Sequence, residues 1–122
     1  MTAPSLDPVG GELVTFDVSR ADSSAAVRAA GEIDSTTAPL LSQHLTELLD
    51  TEVRELTVDL RGVSFLDSAG LCVLATVHRR AVRQDVQMRV LASSRAVVRP
   101  LQITGLWDLL RAEQVAEAGQ VA

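Results

Sequence analysis

Lysine is absent from the chain, and all 11 basic residues are arginines. This absence excludes chemistry that depends on a lysine, as in a P-loop nucleotide-binding protein, a Schiff-base enzyme or a protein kinase. It also argues against a phosphorelay receiver domain, although Asp59 stands at the end of a predicted strand, where a receiver has its acceptor aspartate. The chain also lacks the acidic pair that a receiver carries after its first strand.

Cysteine occurs once, at Cys72, and the aromatic residues are two Phe and one Trp. A single cysteine cannot form an internal disulfide or a cysteine-only metal site, and we expect Cys72 to be a small buried residue of an apolar helix. His44 and His78 have no cysteine or acid at ligand spacing, so no metal site is predicted. The core must be built from aliphatic side chains.

The charge pattern and the hydropathy limit the partners. The net charge of −5 comes with no basic stripe, which argues against binding to nucleic acid. Long apolar runs are absent, so neither a signal peptide nor a membrane span is predicted. With 122 residues the chain forms one domain, and we expect a cytoplasmic monomer without a cofactor of its own.

Apolar periodicity predicts an alternation of strands and helices. Strands are predicted near 13–18, 25–30, 56–60 and 86–90. The predicted helices follow the hydroxyls at 35–37, run from Ser68 to Arg83, and run from Ser93 or Ser94 to about Gly105. The last segment, 106–118, is expected to hold a short strand or helical turn and a frayed helix. Residues 1–11 are predicted to be a flexible lead-in, 12–118 the domain and 119–122 a tail.

This order indicates an α/β protein of α+β type. It predicts a mixed sheet of four to five strands that opens with an antiparallel hairpin and continues with parallel crossovers. Each strand alternates apolar and polar residues, whereas a sheet covered on both faces has continuous apolar strands. The helices are therefore expected mainly on one face of the sheet.

The most informative segment follows the third predicted strand, where Asp67 and Ser68 begin a helix. Ser68 is expected at or near the N-cap, facing outward, with unpaired backbone N–H groups and the positive end of the helix dipole beside it. A phosphate on Ser68 would be favoured there. The small residues Ala69 and Gly70 are expected to let another protein approach the backbone closely.

Three motifs resemble those of the STAS domains of anti-sigma factor antagonists. The sequence from Asp59 to Leu71 is similar to the family signature, which reads roughly D-L-x-x-V-x-F-[LM]-D-S-[SAT]-G-L. Gly31 to Asp34 matches a G-E-[IL]-D turn of the family, and Ile103 to Leu106 matches a late [LI]-T-G-L. The motifs occur in family order, and the resemblance extends over about residues 12–118.

The resemblance implies a function as a partner switch. The family's unphosphorylated antagonist binds an anti-sigma factor that is also an ATP-dependent serine kinase, and thereby frees a sigma factor. The kinase then phosphorylates the serine that follows the aspartate, here Ser68, which ends binding until a serine phosphatase removes the phosphate. Asp34 is the expected neighbour of this serine, and Asp34, Asp67, Ser68, Ala69 and Gly70 are the expected contacts.

One alternative remains open at this stage. Ser68 can be a helix cap in a STAS adaptor subunit of a transporter or stress-signalling complex that is never phosphorylated on this residue. A hydrolase is not expected, because residues 67–70 lack the G-x-S-x-G pattern of a nucleophile elbow.

Overall fold

A computed structural model describes residues 14–116 of the chain. Its elements, in chain order, are β1 (Val14–Ala21), β2 (Ser24–Ile33), α1 (Ala38–Leu49), β3 (Glu55–Leu66), α2 (Ser68–Arg83), β4 (Gln87–Ala92), α3 (Arg95–Ile103), α4 (Leu106–Leu109) and β5 (Ala112–Gln114). The strands form one mixed sheet in the order β1-β2-β3-β4-β5. β1 pairs antiparallel with β2, and all the other neighbours pair parallel.

This architecture confirms the predicted mixed α/β sheet with its opening hairpin and parallel crossovers. Within residues 106–116 the structure has both a short helix and a short strand, α4 and β5. Some predictions concern residues outside the described range. They are the lead-in 1–11, the tail 119–122, a frayed helix at 117 and 118, and the exact limits of the 12–118 domain.

The core lies against one face of the sheet. In the paired strands β2, β3 and β4, the residues that point to this face are buried together: Ala25, Val27, Leu56, Val58, Met88 and Val90. Helix α1 adds the buried leucines Leu41, Leu45 and Leu48 to the same core. The opposite face carries exposed Arg28 and Arg89. This one-sided burial confirms the inference drawn from the alternating strands.

The strand β3 is longer than its sequence predicts, because it continues to Leu66 and leaves only Asp67 before α2. The pairing with β2 continues through two register shifts, one of them beside Gly31, which has φ 111°. That positive φ is readily accessible to glycine and unfavourable for other residues. The predicted strand near 56–60 is therefore too short, and the sheet itself carries the chain up to the start of α2.

No helix among the described residues is long and apolar enough to cross a lipid bilayer.

Candidate functional site

The carboxyl ends of β2 and β3 meet at one edge of the sheet. Ile33 pairs with Leu66 as the last residue of each strand, and the backbone N–H of Asp67 donates to the carbonyl oxygen of Ile33 at 3.1 Å. Asp34 and Asp67 therefore leave the sheet side by side. Parallel strands with short exits place these residues together although they are far apart in sequence. The predicted proximity of Asp34 to the Asp67-Ser68 pair follows directly from this register.

Asp67, and not Ser68, caps helix α2. Its backbone is extended, and its Oδ1 accepts hydrogen bonds from the N–H groups of Ala69 (2.9 Å) and Gly70 (3.3 Å). Ser68 is the first residue of the helix. The sequence predicts unpaired backbone N–H groups beside Ser68 that could bind a phosphate. In the structure the N–H groups of Ala69 and Gly70 are bonded to Asp67 instead, because an N-cap carboxylate accepts from the first free donors of a helix.

Ser68 is exposed at this edge. Its hydroxyl makes no hydrogen bond with another side chain or backbone group in the described part of the chain. A serine that caps a helix would use its oxygen to accept a backbone N–H, but Asp67 already does so here. The hydroxyl of Ser68 is therefore accessible to an incoming reactant, and the structure gives it no capping role.

Asp34 is fixed by a turn of its own. Its Oδ1 accepts hydrogen bonds from the N–H groups of Thr36 (2.9 Å) and Thr37 (3.2 Å). The fully buried hydroxyl of Thr37 donates to the carbonyl oxygen of Glu32 at 2.8 Å and accepts from the N–H of Asp34 at 2.9 Å. The hydroxyls predicted to cap α1 make no capping bond. The turn instead holds the Asp34 carboxylate in one position.

Gly70 has a different structural role from the one its sequence suggested. It is buried, and a Cβ at this position would lie 2.4 Å from Cδ1 of Leu66 and 2.8 Å from Cγ2 of Ile33. The absence of a side chain lets α2 pack against the ends of β2 and β3. The prediction that Gly70 makes room for a partner is therefore corrected, because residues of this chain occupy the space; Ala69 stays partly accessible.

Two apolar residues were missed by the analysis of the sequence as parts of this surface. Phe65, three residues before Ser68, is 47% exposed, and Leu40 in the first turn of α1 is 39% exposed. The strand pattern contained the signal for Phe65, since its neighbour Leu66 points into the core and side chains alternate along a strand. An exposed aromatic beside the serine is a typical contact residue of protein interfaces.

Cys72 is exposed, so the prediction that it is buried is wrong. It follows Ser68 by four residues, which places both side chains on the same side of α2. The histidines are half-buried, and the ring of His44 lies 4.8 Å from that of Phe16. Within residues 14–116, no group of three or more His, Cys, Asp and Glu side chains is placed to hold a metal ion.

Asp59 is a buried acid that serves β3 and not this edge. It is 6% exposed, and Arg61 donates to it from Nε to Oδ1 at 3.0 Å and from Nη2 to Oδ2 at 2.9 Å. Burial alone would raise the pKa of Asp59, but the hydrogen bonds and charge of Arg61, with a weaker contribution from Arg28, lower it below the ordinary value of 3.8. The Asp59–Arg61 pair lies within β3, several residues before the end of the strand at which Ser68 stands.

Comparisons with known proteins agree with the geometry. The sequence profile of the STAS domain matches residues 15–118. The chain is 32% identical to the anti-sigma-B factor antagonist of Staphylococcus aureus over 75% of this chain and 84% of that protein. It is 30% identical to the protein of the same name from Bacillus subtilis, over 87% and 96%. The crystal structure of an anti-sigma factor antagonist from Mycobacterium paratuberculosis superposes with a TM-score of 0.77 at 31% identity, covering 84% of this chain and 86% of that one.

Proposed function

Because the chain belongs to the STAS domain family, we propose that it is a cytoplasmic anti-sigma factor antagonist switched by phosphorylation of Ser68. The unphosphorylated protein binds an anti-sigma factor that is also a serine kinase, and a sigma factor is released. The kinase binds ATP and transfers the γ-phosphoryl group of ATP to the Ser68 hydroxyl, and ADP is released. A serine phosphatase hydrolyses the phosphate and restores binding. The chain itself acts as a binding protein and substrate, and not as an enzyme.

One observation supports the proposal most strongly: Ser68 is an exposed residue with a free hydroxyl at the first position of a helix that Asp67 already caps. A phosphoacceptor must present its oxygen to a kinase without losing a bond that the fold needs. Ser68 meets both conditions. The relatives named above are similar over this segment and are called anti-sigma-B factor antagonists.

The surroundings of Ser68 explain how a phosphate would change binding. The carboxylates of Asp34 and Asp67 are held in place by their own turns, so neither needs to move when the serine is modified. Because Asp67 occupies the N–H groups of Ala69 and Gly70, a phosphate finds few donors within this chain and extends toward a partner. The exposed Phe65 adds an apolar contact to the surface that the phosphate would disturb.

The charge change is large for so small a surface. Phosphorylation adds about −1.5 to −2 charges at neutral pH beside two fixed carboxylates. Removing this charge from water at an interface, and crowding it with like charges, opposes association. A loss of about 3 kcal/mol of binding free energy reduces affinity roughly a hundredfold. The fold can remain unchanged, because the effect operates at the contact surface.

Titration calorimetry with the anti-sigma kinase encoded in the same genome tests this proposal. Ser68→Ala is expected to bind within about threefold of the wild type, since the substitution adds no charge and the Ser68 hydroxyl makes no hydrogen bond within the described part of the chain. Ser68→Glu is expected to bind more weakly, by about tenfold or more, because a charge of the wrong sign at the contact costs about 1.4 kcal/mol or more of binding free energy. Ser19→Glu is the matched control, because it adds the same charge at an exposed position on β1.

Equal binding by Ser68→Glu and Ser19→Glu would contradict the switch, because charge at Ser68 would then have no special effect. A stable complex in which ATP leaves every serine unmodified would support instead a STAS adaptor that docks constitutively.

A further inference from the structure

Thr37 is a polar residue in the interior of the protein. Among the described residues only Thr37 and Asp59 are polar and buried, and Thr37 is fully buried. Asp59 forms an ion pair with Arg61, whereas Thr37 is neutral and stands at the N-cap of α1. A hydroxyl without a hydrogen-bond partner is costly to bury, so the fold must supply partners for the Thr37 side chain.

The Thr37 hydroxyl bonds backward along the chain and not into the helix that follows. It makes no cap bond to α1. It donates to the carbonyl oxygen of Glu32 at 2.8 Å and accepts from the N–H of Asp34 at 2.9 Å. Oδ1 of Asp34, at 3.3 Å, is a second acceptor within its reach. One side chain therefore holds the backbone on both sides of Ile33, the last residue of β2.

The end of β2 needs this support because its pairing with β3 is irregular. The register shifts between Gly31 and Glu32, so the regular ladder is interrupted two residues before Asp34. An irregular pair leaves backbone groups without a partner on the neighbouring strand, and such groups must be satisfied by another route when they are shielded from water. The Thr37 hydroxyl supplies that route for Glu32 and Asp34.

Asp34 is bonded at each of its polar atoms except one. Its N–H donates to the Thr37 hydroxyl, and its carbonyl oxygen accepts from the N–H groups of Thr37 (3.1 Å) and Ala38 (2.7 Å). Its Oδ1 accepts from the N–H groups of Thr36 and Thr37. Within the described part of the chain, its Oδ2 accepts no hydrogen bond. The carboxylate thus presents one free oxygen at the edge where Ser68 stands, and the turn fixes the position of that oxygen.

We propose that Thr37 is a positioning residue for the anti-sigma kinase: acting through Asp34, it raises the affinity of the protein for that partner. This role rests on the function proposed above. Because Thr37 is fully buried, it cannot contact a partner itself, and its effect operates through the oxygen that it holds in place. A carboxylate that is already ordered loses little conformational entropy on binding, and such preorganisation raises affinity without adding a contact.

Three substitutions at Thr37 test the role of its hydroxyl in calorimetric titrations with the anti-sigma kinase encoded in the same genome. Thr37→Val keeps the shape of the side chain without the hydroxyl and is expected to weaken binding about fivefold. Thr37→Ala, which places no methyl group against the two backbone groups, is expected to weaken it as well and replaces Thr37→Val if that variant does not fold. Thr37→Ser keeps the hydroxyl and is expected to bind within about twofold of the wild type.

Thr46→Val is the matched control. Thr46 also donates a hydrogen bond of 2.8 Å to a backbone carbonyl oxygen, that of Ser42 within α1, but it makes no contact with the Asp34 turn. Its substitution is expected to leave the affinity for the kinase unchanged. A loss of affinity as large as that of Thr37→Val would contradict a specific role for Thr37.

Hydrogen exchange in the free protein tests the positioning itself. The amides of Asp34 and Thr36 are expected to exchange about tenfold faster in Thr37→Val than in the wild type, because the turn that they form loses its buried bond. Unchanged exchange at both amides would show that the carboxylate is held without the hydroxyl, and would overturn the proposal.

A double-mutant cycle separates positioning from a purely structural role. Loss of the hydroxyl is expected to lower the melting temperature by several degrees, since two backbone groups lose their partner. Its effect on affinity is expected to vanish in an Asp34→Ala background, because Thr37 acts through Asp34. An equal loss of affinity in both backgrounds, or equal binding by the wild type and Thr37→Val, would overturn this role alone. A wild-type protein that does not bind the kinase would overturn the function proposed above together with it.

Discussion

The backbone N–H of Asp67 donates a hydrogen bond of 3.1 Å to the carbonyl oxygen of Ile33. This bond is the last backbone hydrogen bond between the two chain segments, and it lies where β2 and β3 end. It places Asp34, the residue after Ile33, next to the turn that presents Ser68. The surface formed by Asp34, Asp67 and Ser68 is therefore assembled by the sheet register, and its geometry depends on backbone contacts in which the Ser68 hydroxyl takes no part.

Loss of the Asp67 cap is expected to destabilise the protein. Asp67→Ala leaves the N–H groups of Ala69 and Gly70 without their acceptor, and a lost N-cap costs about 0.5–2 kcal/mol. Asp67→Asn keeps an acceptor oxygen, so its free energy of unfolding is expected to fall less than that of Asp67→Ala. Ser68→Ala is expected to lower the free energy of unfolding least, because the Ser68 hydroxyl does not cap the helix. Urea unfolding of the three variants measures these differences, and a larger loss for Ser68→Ala than for Asp67→Ala would contradict the assigned cap.

Gly70→Ala tests the close packing of α2 on the strand ends. Alanine is the better helix former by about 1 kcal/mol, so an open position would be stabilised. Here its Cβ would lie 2.4 Å from Leu66 and 2.8 Å from Ile33, and overpacking typically costs about 1–3 kcal/mol. We therefore expect a lower free energy of unfolding, measured by urea denaturation.

The double variant Gly70→Ala/Leu66→Ala provides the control for this prediction. Removal of the Leu66 side chain gives the new methyl group room, so Gly70→Ala is expected to cost less in that background. Equal costs in both backgrounds would show that the predicted collision does not occur.

The Asp59–Arg61 pair gives the stability a dependence on pH. Because the pKa of Asp59 is lower in the folded protein than its ordinary value of 3.8, the stabilisation is complete above that value. It is lost as the pH falls through the lower, folded-state pKa, when Asp59 becomes protonated. Asp59→Asn is expected to be less stable than the wild type at pH 7, and the difference is expected to shrink in strong acid.

Thermal unfolding at pH 7 and near pH 3 measures this effect. Glu113→Gln breaks the exposed pair between Arg89 and Glu113 and serves as the control, because exposed pairs contribute only about 0–1 kcal/mol. A difference between Asp59→Asn and the wild type that stays constant from pH 7 into strong acid would contradict the assigned role.

The analysis of the sequence predicted the order of the elements, because apolar alternation and turn residues are local signals. It also placed Asp67 and Ser68 at the start of a helix. It did not establish that Asp67 takes the cap, since both residue types are good caps and only the backbone conformation decides between them. The buried position of Gly70 depends on a long-range contact with Ile33, which no local pattern contains.

The exposure of Cys72 could have been inferred from the sequence. Ser68 was expected to face outward, and a residue four positions later lies on the same side of a helix. The apolar character of cysteine favoured burial instead, and that preference proved wrong. The length of β3 was not predictable, because two successive residues near its end, Ser64 and Phe65, are both exposed and break the alternation of buried and exposed side chains.

The most direct test of the central claim is peptide mass spectrometry after incubation with ATP and the anti-sigma kinase of the same genome. We expect one added phosphate, located on Ser68, together with dissociation of the complex between the two proteins. Ser68→Ala is expected to bind the kinase and remain unmodified. A phosphate on another residue, or a complex that persists when Ser68 is phosphorylated, would contradict the account.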